Sequence, residues 1–259
     1  MPRLAANLSW LFTELPFLDR FEAAAVAGFR AVEFLQPYEF PPEEIAVRLE
    51  RHRLEAVLFN LPPGDTSKGE RGLAALAGRE AEFMRDIARA IDYAKATGCR
   101  RIHALAGNAA GAEAETVYVA NLRAAADLVA PFGITLLVEP LNVRDAPGYL
   151  VSTSGAALHL IDRIDRANVK LQFDLYHCQI MEGDLTRHIR ELAGRFAHVQ
   201  IAGVPGRNEP DVGEVNYPYL LELLDGTGYA GWVGCEYRPK AGTLAGLGWA
   251  RRWGVVPAR

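Results

Sequence analysis

The sequence predicts an α/β protein, a single (β/α)8 TIM barrel whose active site lies at the C-terminal ends of its strands. Eight short apolar runs alternate with longer segments of helical periodicity along nearly all of the 259 residues. Runs that are apolar throughout are typical of parallel strands whose two faces are covered by helices. Eight βα units of roughly 30 residues account for about 250 residues, which is the usual size of such a barrel.

The predicted strands are short apolar runs that end near a polar residue or a turn. They span residues 4–7, 31–35, 56–60, 101–105, 135–139, 170–174, 198–201 and 232–236. The segment after the first of them reads NLSWLF and lacks a glycine-rich phosphate-binding fingerprint, which disfavours an open dinucleotide-binding sheet. We therefore expect the sheet to close on itself.

The predicted helices carry apolar residues at spacings of three and four positions. They span residues 41–53, 79–97, 115–130, 153–164, 185–194 and 217–224. In the segment 79–97, Phe83, Ile87 and Ala94, with either Ala90 or Ile91, form a stripe that would pack against a sheet. Gly98 follows directly, as expected for a residue that ends a helix.

Composition and charge exclude several classes of protein. Half of the residues are apolar and the net charge is −4, with no basic segment of the kind that binds nucleic acid. The longest apolar run is too short to span a membrane, and the first residues, MPRLAANLSWLF, lack the features of a signal peptide. Cys99, Cys178 and Cys235 are isolated, which favours a reducing cytoplasm. We expect one cytoplasmic domain over residues 1–259.

Four predicted strands end in a side chain that can bind a metal ion. These residues are Glu139, Asp174, Gln200 and Glu236. In a parallel barrel they would meet at the C-terminal mouth, where three carboxylates repel one another unless a counter-charge is present. Oxygen donors without thiolate or imidazole suit one divalent ion, Mg2+ or Mn2+. Taken singly, each could instead be a strand-end residue held by backbone amides or an arginine.

His177 lies three residues after Asp174, in the segment DLYH. From this position it could donate a hydrogen bond to a substrate oxygen beside the metal site, although a lone histidine can equally be a packing residue. Among the aromatic residues, Trp10 is the best candidate for a wall of the pocket. His177 and Trp10 are therefore expected near the four strand ends.

Two long loops, residues 62–72 and 203–210, follow the third and seventh predicted strands and should cover the mouth. They carry Lys68, Arg71 and Arg207, which could bind a substrate carboxylate or simply be solvated. Arg71 is preferred because a guanidinium can bind a carboxylate through two parallel hydrogen bonds.

Several motifs occur together in a characteristic order. They are ANLSWLF, GFRAVEF, NLPPGD, KGERG, VEP, DLYH, HVQIA and GWVGCEY. In these motifs the chain resembles the hydroxypyruvate isomerase family, part of the xylose-isomerase-like barrel superfamily, from about residue 5 to residue 249. The resemblance implies that Glu139, Asp174, Gln200 and Glu236 bind the metal and that Glu139 and Glu236 also transfer protons.

The resemblance implies a metal-assisted interconversion of hydroxypyruvate and tartronate semialdehyde through an enediolate, a reaction of glyoxylate metabolism. The related sugar epimerases typically have histidine at the position of Gln200, so the glutamine favours an isomerase. The alternatives are a 2-oxo-tetronate isomerase or a related sugar-acid or ketose isomerase or epimerase, and more distantly a metal-dependent endonuclease or a non-catalytic sugar-acid binding protein. The expected partner is a small 2-oxo or hydroxy acid, without nucleic acid or membrane. The oligomeric state stays open, with a homo-oligomer among the options.

Overall fold

Eight parallel strands close into a barrel in which every strand pairs with its neighbours in chain order and β1 pairs with β8. The structure is a computed structural model that describes residues 1–256. The strands are β1 Arg3–Asn7, β2 Ala31–Phe34, β3 Glu55–Asn60, β4 Arg101–His103, β5 Thr135–Val138, β6 Val169–Asp174, β7 Phe196–Ile201 and β8 Trp232–Cys235. The predicted fold class is confirmed, and the last three residues of the predicted domain lie outside the described part.

Helices connect successive strands on the outside of the barrel. They are α1 Arg20–Val26, α2 Pro42–His52, α3 Glu80–Thr97, α4 Gly111–Val129, α5 Ser154–Ile164, α6 Leu175–Met181, α7 Leu185–Glu191, α8 Tyr217–Gly226 and α9 Thr243–Gly246. Short 3-10 helices span Phe17–Asp19, Thr66–Lys68, Ala130–Phe132 and Leu247–Trp253. The six clearest predicted helices correspond to α2, α3, α4, α5, α7 and α8, and the short helices α1, α6 and α9 were not among them. No helix of residues 1–256 is long and apolar enough to cross a membrane.

Helix α3 illustrates how the apolar stripes fix the outer layer. Phe83, Ile87 and Ala90 are buried at 2% exposure or less, and both Ile91 and Ala94 are buried as well. Burial of each large apolar side chain contributes about 1.5–3 kcal/mol relative to exposure. The helix ends where Gly98 takes a left-handed conformation at φ 73°, which costs glycine little because it has no Cβ.

Some predicted boundaries differ from the structure by residues that matter for the site. β5 ends at Val138 and β8 at Cys235, so Glu139 and Glu236 lie one residue beyond their strands. β4 ends at His103 rather than at residue 105. Helix α7 ends at Glu191 rather than at residue 194, and α4 begins at Gly111, four residues before its predicted start. The strand ends still converge at one mouth.

The inside of the barrel is polar directly beneath the mouth. Glu33 of β2 is fully buried, and its Oε2 lies 2.6 Å from Nε2 of His198 on β7. Its Oε1 accepts hydrogen bonds from the amide groups of Asn7 and Gln200, each at 2.9 Å. Gly234 of β8 is needed here because a Cβ at this position would lie 2.3 Å from the carboxylate oxygens of Glu33.

Candidate active site

A cavity of about 170 Å3 opens at the C-terminal mouth of the barrel. Its lining combines carboxylates, basic side chains and apolar groups drawn from loops and strand ends around the ring. The lining residues are Trp10, Leu35, Asn60, Arg71, His103, Leu105, Glu139, Leu141, Asp145, Ala146, His177, Arg207 and Glu236.

Three of the four predicted ligands place buried carboxylates at this mouth. Glu139, Asp174 and Glu236 are 5%, 2% and 6% exposed. One potential ligand atom from each of Glu139, Asp174 and His177 lies within 4.8 Å of the others. Asp174 uses Oδ1 to accept the backbone N–H of Tyr176 at 2.8 Å and thereby caps α6. Its Oδ2 is buried and has no hydrogen-bond partner among residues 1–256.

Burial, and then repulsion from neighbouring carboxylates including Glu33, raise the pKa of all three carboxyl groups above their ordinary values. For Glu139, burial has the largest effect, followed by the negative charges of Glu236 and Asp174. For Asp174 and Glu236, burial again dominates, and Arg207 opposes it. Carboxyl groups with raised pKa in a cavity are typical of residues that exchange protons or bind a cation.

Arg207 is the counter-charge that the sequence did not predict. Its Nη2 lies 2.5 Å from Oε1 of Glu236 and 3.8 Å from Oδ2 of Asp174. The guanidinium carbon lies 4.6 Å from the ring centre of Trp10 and 4.8 Å from that of Tyr176. Burial alone would lower the pKa of Arg207, but the surrounding carboxylates raise it. Arg207 therefore stays charged inside the site.

Gln200, the fourth predicted ligand, is fully buried in the polar layer below the carboxylates. Its Nε2 donates hydrogen bonds to Glu33 and to Oε2 of Glu236, and its Oε1 accepts a hydrogen bond from Nε2 of Gln172. The amide oxygen thus faces Gln172 rather than the carboxylates. A ligand role requires the amide to rotate about its last torsion, and this role stays a prediction.

His177 lies on α6 beside the carboxylates and is 3% exposed. The backbone N–H of Asn142 donates to its Nδ1 at 3.0 Å, so the proton of the neutral ring belongs on Nε2. This Nε2 lies 3.6 Å from Oδ2 of Asp174. Burial, and then the charge of Arg207, lower the pKa of His177 well below its usual value. The side chain is a neutral donor at the edge of the cavity.

The two other predicted carboxylate-binding residues differ in position. Arg71 lines the cavity, and it also lines a wider opening that Arg207 and Arg238 share. Lys68 does not line either; its side chain is 75% exposed and its ammonium lies 2.9 Å from Oδ2 of Asp65. The substrate-binding roles of both residues stay predictions.

Asn60 and His103 also line the cavity, although sequence reasoning did not select them. Burial lowers the pKa of His103 to about 3, so its ring is neutral. Its Nδ1 lies 3.1 Å from Oε2 of Glu139, but the angle is unsuitable for a hydrogen bond, and both ring nitrogens lack a partner within residues 1–256. The sequence feature that could have identified both residues is a polar side chain at or near the end of an apolar run.

A second group of potential ligands lies outside the barrel. Cys178, Glu182 and His188 come within 4.8 Å of one another. Glu182 accepts hydrogen bonds from the backbone N–H and from Oγ of Ser154, both at 2.8 Å. Because Ser154 begins α5, Glu182 satisfies the free donors at the start of that helix. This group has a structural explanation.

Comparison with known proteins agrees with the fold. A family model described as xylose isomerase-like TIM barrel matches residues 21–253. A 2-oxo-tetronate isomerase of Cupriavidus necator is 54% identical over 97% of this chain and 98% of its own length. A hydroxypyruvate isomerase of Escherichia coli is 47% identical over 96% and 98%. A crystal structure from Brucella melitensis, described as an AP endonuclease of family 2, is 53% identical, with a TM-score of 0.96 over 98% and 100%.

Proposed function

The chain belongs to the xylose isomerase-like TIM barrel family, and from this premise we propose that it is an isomerase that interconverts hydroxypyruvate and tartronate semialdehyde. The observation that carries the proposal is the pair Glu139 and Glu236, buried carboxyl groups with raised pKa that line one small cavity. The named relatives are isomerases of short 2-oxo acids and match nearly the full chain.

The donor set fits a divalent ion. Oδ2 of Asp174 is a buried carboxylate oxygen without a partner in the described residues. One potential ligand atom from each of Asp174, Glu139 and His177 lies within 4.8 Å of the others. When ionised, Glu139, Asp174 and Glu236 carry three negative charges, of which Arg207 offsets one. A divalent cation would offset the other two. We propose Mg2+ or Mn2+, held by Glu139, Asp174, Glu236 and Gln200, because oxygen donors prefer these ions.

The two glutamates supply the proton transfers of the reaction. Hydroxypyruvate has a ketone at C2 and a hydroxymethyl group at C3, so the isomerisation takes a proton from C3 and returns one to C2. One glutamate accepts the first proton and the other donates the second. General acid–base catalysis of this kind raises a reaction rate by roughly 10²–10⁴-fold. A bound divalent ion would polarise the carbonyl and hydroxyl oxygens of the substrate. The Nε2–H of His177 would hold one of these oxygens.

A 2-oxo-tetronate isomerase is the second candidate function. The specific observation in its favour is the 54% identity to the 2-oxo-tetronate isomerase of Cupriavidus necator. This substrate has the same C2 ketone and C3 hydroxyl and one more carbon, so the same residues would act on it. An epimerase is disfavoured by Gln200, and an endonuclease by the absence of a basic segment in the sequence. A cytoplasmic location and a homo-oligomer stay predictions.

Incubation with substrate in D2O tests the proposed function. We expect wild-type protein with Mg2+ or Mn2+ to convert hydroxypyruvate to tartronate semialdehyde and to exchange a substrate C–H proton with solvent, as followed by NMR. Binding without turnover or exchange would indicate a sugar-acid binding protein. Cleavage of abasic-site DNA together with inactivity on both 2-oxo acids would indicate an endonuclease.

Replacement of Arg71 by methionine tests how the substrate carboxylate is held. We expect KM for hydroxypyruvate to rise about tenfold or more, because the variant loses a charge-assisted hydrogen bond, with fold and metal content unchanged. Lys68→Met is the matched comparison and should raise KM less than Arg71→Met does, since Lys68 is exposed and paired with Asp65. Arg207→Met should damage both KM and kcat because it leaves Glu236 without its ion pair. Unchanged steady-state kinetics in all three variants would reject these cations as carboxylate ligands.

A further inference from the structure

Two uncharged side chains form a polar patch in the cavity that the proposed proton transfers do not use. Asn60 ends β3 and His103 ends β4, and the two residues are paired in register across these neighbouring strands. Asn60 is 6% exposed and His103 is 1% exposed. Both line the same cavity as Glu139 and Glu236.

Three side-chain atoms of this pair make no hydrogen bond within the described part of the chain. Oδ1 of Asn60 and both ring nitrogens of His103 are buried and have no hydrogen-bond partner. Folded proteins pair the great majority of such atoms because an unpaired buried polar group is destabilising. Two neighbouring residues with this property, both facing one cavity, indicate that their partner is a ligand.

The positions of the arginines at the barrel mouth indicate which end of a substrate would contact Asn60 and His103. Arg207 and Arg238 follow β7 and β8 and flank Trp10, with guanidinium carbons 4.6 Å and 5.0 Å from its ring. Arg71, on the loop that follows β3, extends to the same opening as these two arginines, and neither Asn60 nor His103 lines that opening. A substrate carboxylate is attracted to the opening that the three arginines share, so the other end of the substrate points into the cavity toward Asn60 and His103.

We propose that Asn60 and His103 recognise a hydroxyl group on the carbon beyond the two that exchange the carbonyl, and that Asn60 determines selectivity for a four-carbon 2-oxo acid. This inference rests on the proposed function. A hydroxyl group both donates and accepts hydrogen bonds, which suits the amide oxygen of Asn60 next to the ring nitrogens of His103. Hydroxypyruvate ends at the reacting C3 and cannot make this contact, whereas 2-oxo-tetronate carries a hydroxyl group at C4.

The test combines a change in the substrate, loss of the C4 hydroxyl group, with a change in the protein, loss of the Asn60 amide. Wild-type and Asn60→Leu proteins are assayed with 2-oxo-tetronate, with 3-hydroxy-2-oxobutanoate, which has the same chain length but no C4 hydroxyl group, and with hydroxypyruvate. In wild type, loss of the hydroxyl group should lower kcat/KM about tenfold, the typical effect of one neutral hydrogen bond in a dry site. In Asn60→Leu the preference between the two four-carbon acids should shrink several-fold, because only His103 is left to bind the hydroxyl group, and kcat/KM for hydroxypyruvate should fall less than kcat/KM for 2-oxo-tetronate.

Asn108→Leu is the matched control because Asn108 is exposed and donates its amide to the backbone oxygen of Gly69. It should keep the wild-type preference between the two four-carbon acids. Asn60→Ser provides a smaller replacement if Asn60→Leu does not fold, and it should weaken the preference. His103 is unsuitable for this purpose because it contacts Glu139, so its replacement should lower turnover of every substrate.

Two results would overturn the inference. One is an equal loss for all three substrates in Asn60→Leu, which would indicate a general structural role. The other is a full wild-type preference for the C4 hydroxyl group in both Asn60 variants. Failure of the proposed function looks different, since wild-type protein with metal would then turn over none of the three acids.

Discussion

Removal of divalent metal ions should abolish turnover completely, and addition of Mg2+ or Mn2+ should restore it. Glu139, Asp174 and Glu236 are buried at one mouth, Oδ2 of Asp174 has no hydrogen-bond partner among residues 1–256, and Arg207 offsets only one of the three charges. Without a divalent cation, an anionic 2-oxo acid would enter a site with excess negative charge and without the polarising group that stabilises a developing enediolate.

Protein treated with a chelator, dialysed and checked by elemental analysis provides the measurement. Turnover of hydroxypyruvate should fall to the background rate and return on titration with either ion. Ca2+, which prefers longer bonds and more ligands, should restore less activity than Mg2+. Full activity in protein shown to contain no metal would disprove the metal-dependent mechanism.

Glu139→Gln and Glu236→Gln should each lose nearly all turnover, by at least about 10²–10³-fold in kcat. Glutamine keeps the size of the side chain and can still offer one oxygen to a metal ion, but it cannot relay a proton. Each variant should therefore lose catalysis even where elemental analysis shows that metal is retained. Loss of C–H exchange in D2O should accompany the loss of turnover.

The matched control for these variants is Glu182→Gln. Glu182 is also a largely buried glutamate, but it caps α5 outside the barrel through Ser154. Its replacement should lower the melting temperature and leave kcat close to wild type. If Glu236→Gln stayed within about tenfold of wild type, or ~1.4 kcal/mol of barrier, the scheme with two glutamates would be wrong.

The barrel was predictable because its signals are local. Each strand is a short apolar run, and helices such as α3 carry a stripe of period 3.6 that sequence alone displays. The seven-residue helices α1 and α6 were not among the clear predictions, whereas α7, of the same length, was. Two helical turns are therefore close to the shortest segment in which an apolar period can be recognised. Convergence of Glu139, Asp174 and Glu236 also followed from local evidence, since parallel barrel strands point their C-terminal ends at one mouth.

The parts of the site that the sequence did not predict depend on contacts between segments that lie far apart in the chain. Arg207 lines the cavity, and its predicted role in substrate binding stays a prediction. Its ion pair with Glu236 was not predicted, because this pairing depends on how the loop after β7 folds back. His103 was hidden inside a strand that was predicted two residues too long. Glu33 pairs with His198, which lies 165 positions away in the sequence. No local pattern reveals that these two side chains meet inside the barrel.

The three carboxylates and Arg71 lie on different parts of the fold, and this arrangement affects how the substrate range of such a protein can evolve. Glu139, Asp174 and Glu236 come from three different βα units and rest on a rigid hydrogen-bonded floor around Glu33. Arg71 sits on a loop whose length can change without disturbing that floor, whereas Arg207 is tied to Glu236 and Asp174. Mutations in the loop that carries Arg71 can therefore change which acid is accepted while the proton-transfer residues stay the same. A change of substrate can therefore follow from a few loop substitutions, without any change in the strands of the barrel.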